Sequence, residues 1–190
     1  MNFNPNNILA PAKGRLLISE PFLDDPHFKR TVILLCDHNE EGSFGFVLNN
    51  YVSLKISDVI PDINPFKTKV SIGGPVNKNS IFYLHTFGDS IANSEHIFDN
   101  VYMGGDFDEI KEKVNSGLNS PGDIRFFVGY SGWGKDQLSW ELKEKSWIVS
   151  AAVSEQVMNT KNHNLWSQSL RAMGKDFAIL SNFPSDPNLN

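Results

Sequence analysis

The chain has 190 residues, 40% of them hydrophobic, with fourteen Phe and four Trp. That is enough apolar surface for one well-packed domain and too much for a disordered chain. A formal net charge of -5 argues against a broad electrostatic grip on nucleic acid or anionic lipid, which rests on Lys and Arg neutralising phosphates. The single cysteine, Cys36, excludes an intrachain disulfide.

Residues 1–12 carry four Asn and two Pro and read as a flexible N-terminal arm, ahead of a single domain over 13–190. The arm has no Lys or Arg, and no apolar run suited to a signal peptide. The longest apolar stretch, Val32 to Cys36, is far short of the roughly 20 residues that span a bilayer. A soluble cytoplasmic protein with no membrane contact is expected.

Arg15 to Ser19 reads as a short strand. Asp24-Asp25-Pro26 has turn chemistry. Thr31 to Asp37 is apolar without alternation, as suits a strand buried on both faces. With Phe44 to Leu48 it forms a β-hairpin across Asn39-Glu40-Glu41-Gly42. Leu54 to Ile60 resembles a short helix stopped by Pro61. Strands follow at Val70 to Ile72, Ile81 to His85 and Val101 to Met103.

The clearest helix runs from Phe107 to about Ser116. Asp106 is its N-cap, Glu109 stands in capping-box position, and Gly117 ends it. Ile124 to Tyr130 is a strand leading into a glycine-rich turn, Gly129 to Gly134. A helix from Lys135 to Lys145 follows, in which Glu141 can pair with Lys145. Trp147 to Val153 is a strand, and Leu165 to Met173 a helix closed by Gly174. Strands come first and helices late, so the fold class is α+β with a mixed or antiparallel sheet.

Several segments carry candidate chemistry. Ser131 fails the nucleophile-elbow pattern, because Trp133 stands where the second glycine is required. Cys36 and His38, two apart on a strand, should share a face. With His85 they supply zinc-type donors, but a lone C-x-H pair is weak evidence, and no metal or cofactor is expected. No phosphate-loop or dinucleotide fingerprint occurs. Gly73-Gly74-Pro75 is a tight turn or an anion contact. Tyr130 and Trp133 pack the core or form a stacking platform.

Taken together, Lys13 to Ile18, Asp25-Pro26-His27-Phe28, Cys36 to Gly42, Gly73-Gly74-Pro75-Val76, His85, Gly129 to Leu138 and the closing Asp186 to Asn190 resemble the YqgE/AlgH family of bacterial proteins. The resemblance implies one domain with a barrel-like β core and helices packed outside. It carries over no catalytic set. One branch of the family bears a transcriptional-regulator label. Neither Trp140 nor the Asn-rich arm belongs to the resemblance.

Two readings of function follow. The first is a non-enzymatic regulatory protein that binds a small molecule or a protein partner without direct nucleic-acid contact. Its ligand patch would gather His38, Asn39, Gly73, Gly74, His85, Tyr130 and Trp133, since glycines thin two turns beside polar and aromatic groups. The second is an enzyme using Cys36, His38, Asn39 and His85.

Overall fold

A computed structural model describes residues 9–65 and 68–184. The first eight residues of the expected arm, and the closing Asp186 to Asn190, lie outside the described residues. The architecture is α+β in a single domain. Among the described residues, ten strands form one mixed, mainly antiparallel sheet, with five helices packed around it.

The strands are β1 (Arg15–Ser19), β2 (Val32–Asn39), β3 (Gly42–Val47), β4 (Tyr51–Val52), β5 (Val70–Ile72), β6 (Val76–His85), β7 (Glu95–Phe98), β8 (Val101–Met103), β9 (Ile124–Gly134) and β10 (Trp147–Ala151). The helices are α1 (Phe107–Asn115), α2 (Gln137–Lys143), α3 (Ser154–Met158), α4 (Leu165–Ala172) and α5 (Lys175–Leu180). The strand order is β10-β1-β2-β3-β9-β6-β8-β7, with β4 and β5 off this path.

Strand β9 organises the molecule. Its first half pairs antiparallel with β6 and parallel with β5, and its second half pairs with β3. The glycine-rich stretch Gly129 to Gly134 is therefore strand and not a turn. Gly129, with φ of 67°, breaks the ladder locally; only glycine takes this conformation at little cost.

The barrel-like core takes the form of an open sheet whose edges are β10 and β7. The start of β1 nevertheless abuts β7: a Cβ on Gly14 would fall 2.8 Å from Phe98 Cβ, and Lys13 pairs with Glu95. Among the described residues β1 and β7 form no ladder, so closure stops at contact.

Both faces of β1, β2 and β3 are covered, as the non-alternating apolar run at Thr31 to Asp37 predicts. One face joins Leu16, Val32, Leu34, Cys36, Phe46 and Leu48 to Phe127 and to α3, α4 and α5. The other joins Leu17, Ile33, Leu35 and Val47 to Trp133, Trp147, Val149 and Leu138 of α2. A third cluster sets Tyr83, Ile124 and Phe126 against Ile110 and Val114 of α1. Phe126 and Val128 thus lie across the sheet from Phe46, so the apolar interior is layered.

Local signals place most elements. Asn39 Oδ1 accepts the Glu41 N–H, an Asx turn that closes the β2–β3 hairpin. Asp106 caps α1 by accepting from the N–H groups of Asp108 and Glu109. Glu109 does not complete the capping box; it accepts the Ala92 N–H instead, tying the preceding loop to the helix. The expected helix at Leu54 to Ile60 is only a 3₁₀ turn, Ile56–Asp58. Among the described residues no helix is long and apolar enough to cross a membrane.

Candidate functional site

The two glycine segments do meet, but backbone against backbone. A Cβ at Gly73 would lie 2.3 Å from Gly129 O, and one at Gly74 2.2 Å from Tyr130 O. Gly73 N–H donates to Val128 O at 2.9 Å, Val47 N–H to Gly73 O at 2.8 Å, and the buried Ser131 hydroxyl to Gly73 O at 2.9 Å. These glycines therefore let three strands close up, and Ser131 is a buried tie between two of them. Tyr130 points into a ring cluster, edge-on to Phe44 at 5.0 Å and Phe82 at 5.6 Å.

Trp133 is buried, stacked on Phe28 at 6.3 Å and edge-on to Trp147 at 6.0 Å. Both indole N–H groups donate to Glu141 Oε2, at 2.8 Å from Trp133 and 2.7 Å from Trp147. Gln137 holds the other carboxylate oxygen at 2.9 Å. Glu141, expected to pair with Lys145, thus fastens α2 to the sheet.

Cys36 and His38 do not share a face. A bulge between Leu35 and Asp37 shifts the register, and an extra residue in one strand reverses the alternation beyond it. Cys36 stays in the layer with Val32 and Leu34 and is fully enclosed. Burial, followed by the nearby Glu95 carboxylate, pushes its thiol far above the ordinary cysteine range. His38 falls opposite Ser43, and its Nδ1 shares a 2.7 Å hydrogen bond with Ser43 Oγ.

His38 and Asn39, with Glu40, Gly42, Ser43, Gly134, Asp136, Leu138 and Ser139, line an open cavity of about 330 Å³ between the hairpin end and α2. Asp136 enters α2 with φ of 61°, a conformation uncommon for a residue with a side chain. Trp140, one turn on from Asp136, is 62% exposed, while the other three tryptophans are buried.

His85 stands apart. It pairs with Ile124 at the start of β9, whereas Trp133 pairs with Ser43 nine positions further along. At about 3.3 Å per residue that is roughly 30 Å. Its Nε2–H donates to Gly104 O at 3.0 Å and its Nδ1 accepts from Phe87 N–H at 3.3 Å, which defines a neutral tautomer. Burial lowers its pKa, opposed by the Gly104 hydrogen bond. The seven residues expected to share a patch therefore divide into three places: the strand crossing (Gly73, Gly74, Tyr130), the hairpin and α2 (His38, Asn39, Trp133), and the far end of β9 (His85). Among the described residues, no three His, Cys, Asp or Glu side chains are grouped to hold a metal ion.

Arg125 escaped the sequence reading. Its side chain is fully buried on β9. Its Nη1 donates to Val157 O and its Nη2 to Leu48 O and, at 3.1 Å, to Ser71 Oγ. Burial pushes its pKa down to about 10. The available signal was a single charge inside the apolar run Ile124 to Val128.

The family profile described as AlgH-like matches residues 16–178, and the chain belongs to that family. It is 44% identical over 179 residues to a UPF0301 protein of Cytophaga hutchinsonii, covering 94% of this chain and 98% of the relative. A UPF0301 protein of Bacteroides thetaiotaomicron is 42% identical over 186 residues, covering 97% and 94%. Among solved structures, a Corynebacterium diphtheriae protein superposes with a TM-score of 0.77 at 26% identity, covering 93% of this chain and 94% of the other. The AlgH protein of Pseudomonas aeruginosa does so with 0.70 at 25% identity, covering 93% and 97%.

Proposed function

We propose that this protein is a non-enzymatic regulatory protein of the cytoplasm that works by binding a partner protein or ligand at the hairpin–α2 surface. The observation that carries this reading is the dispersal of the reactive side chains. Cys36 is sealed in the core, His38 is committed to Ser43 across the sheet, and His85 is buried at the other end of β9. A nucleophile, its base and an orienting group must lie within hydrogen-bond reach of one another, and these do not. The hairpin–α2 surface instead sets polar groups in an open cavity whose lining ends at Ser139, the residue before the exposed Trp140. Exposed tryptophans of this kind are favoured anchors in protein interfaces. Duplex DNA is disfavoured by the acidic balance.

The test is a photoreactive amino acid at position 140 in living cells, with position 118 as control, since Leu118 is 90% exposed and lies on a different segment. The expected result is a discrete, protease-sensitive adduct from position 140, diminished by Asn39→Ala. Adducts no stronger than those from position 118, or sensitive to nuclease, contradict the proposal.

A further inference from the structure

A second place in the molecule, separate from the hairpin–α2 surface and independent of that reading, gathers positive charge that no ion pair among the described residues compensates. On β5, Ser71 pairs with Tyr51 of β4 on one side and Phe127 of β9 on the other. Lys69 lies two residues before Ser71, and Arg125 two before Phe127. By the period of two along a strand, Lys69, Ser71, Tyr51 and Arg125 rise from the same face. The 3.1 Å bond from Arg125 Nη2 to Ser71 Oγ agrees with this placement.

The cluster is built around the Tyr51 ring. Arg125 Cζ is 5.7 Å from its centroid and Lys69 Nζ 5.4 Å. The His163 ring stands edge-on to it at 5.5 Å. Lys69 Nζ donates to His163 Nε2 at 2.8 Å. Arg125 is enclosed, with its Nε unpartnered, whereas His163 is exposed and Lys69 partly so. The ion pairs among the described residues are Lys13–Glu95, His27–Asp25 and Lys111–Asp108, and none compensates Lys69 or Arg125.

Two cations gathered over one ring repel, and a buried guanidinium ordinarily has a counter-charge. The Tyr51 ring softens the repulsion by presenting its π-face to both, without supplying a negative charge. An anion placed against Lys69 and His163 would supply one. It would accept from the ammonium, and His163, released from accepting the lysine proton, can donate to it as well.

We propose that Lys69 and His163, seated over Tyr51 and backed by Arg125, form a binding site for a phosphate dianion, free or as the head of a small phosphate monoester. Phosphate carries several acceptor oxygens on one centre, so it can accept from the lysine ammonium, a point-charge donor, and from the imidazole at once. Arg125 strengthens the site through its field, from beneath.

The probes are inorganic phosphate and glycerol phosphate, each titrated at constant ionic strength while the ring resonances of His163 are followed by NMR. The expected result is a saturable, one-to-one shift of those resonances. In Lys69→Gln it should need about tenfold more ligand, the loss of one charge-assisted bond, and Lys69→Arg should restore much of the affinity. Lys69 is partly exposed, so both variants are expected to melt like the parent. Tighter binding of glycerol phosphate identifies a monoester site; tighter binding of inorganic phosphate identifies a free-anion site. Shifts that do not saturate, or that are unchanged in Lys69→Gln, overturn the proposal.

Discussion

Trp133→Ala is expected to destabilise the ligand-free protein by about 3–5 kcal/mol, the range for removing a large buried aromatic from a packed site. Its ring fills the layer between β1–β3 and α2 together with Leu17, Leu35, Val47 and Leu138. Truncation also removes one of the two indole donors that hold Glu141 Oε2. That carboxylate then keeps Trp147 and Gln137 alone, and α2 loses part of its attachment. Urea denaturation measures the effect. An exposed tryptophan serving as a stacking platform would behave differently, since surface substitutions usually fall within about 0.5 kcal/mol. A change that small would mean that Trp133 is not part of the core.

Arg125→Met is expected to destabilise the fold even though it removes a buried charge. Two effects oppose each other. The parent bears the desolvation of a guanidinium that has no carboxylate partner, which replacement relieves. Replacement also strands Val157 O, at about 1–3 kcal/mol for a buried acceptor left unsatisfied, and leaves Leu48 O with only the long 3.5 Å bond from the Ser71 hydroxyl. It further detaches the end of α3 from β9. The carbonyls outweigh the relief, because the parent guanidinium is already solvated by three acceptors and two ring faces. A net loss of about 2 kcal/mol or more is expected by denaturant titration. A gain in stability would show that the uncompensated charge dominates.

Much of the fold is legible in local chemistry. The run Val32 to Cys36 announces a strand covered on both faces, Asn39 to Gly42 closes a hairpin, and Asp106 and Gly117 bracket α1. These signals act over a few residues, so the sequence displays them. The failures are tertiary. The glycines at 73, 74 and 129 look like turn residues from either segment alone. Only their mutual approach shows that each one clears a neighbouring backbone. Cys36 and His38 look like one face until a bulge, which no local pattern marks, moves them apart.

The candidate site fared worse than the fold for the same reason. His85 and Trp133 belong to strands adjacent to β9 or to β9 itself, but their positions along it differ by most of its length. Register, which sets that distance, depends on pairing over the whole sheet. Arg125 and Glu141 were hidden because a charged residue in a sequence reads as surface until its partners are known. In the fold, one is clamped by carbonyls and the other by two indoles.

The reading as a binding protein depends most on the reactive groups being sealed or scattered, and Cys36 tests this directly. The measurement is the rate of alkylation of native protein at neutral pH, compared with the same protein unfolded in urea. Because the thiol is fully enclosed and its pKa raised by burial, the thiolate that reacts is scarce and out of reach. The expected result is labelling only as fast as the core opens, orders of magnitude slower than in urea. Stoichiometric labelling of the native protein within minutes would contradict the account and return Cys36 to the centre of an active site.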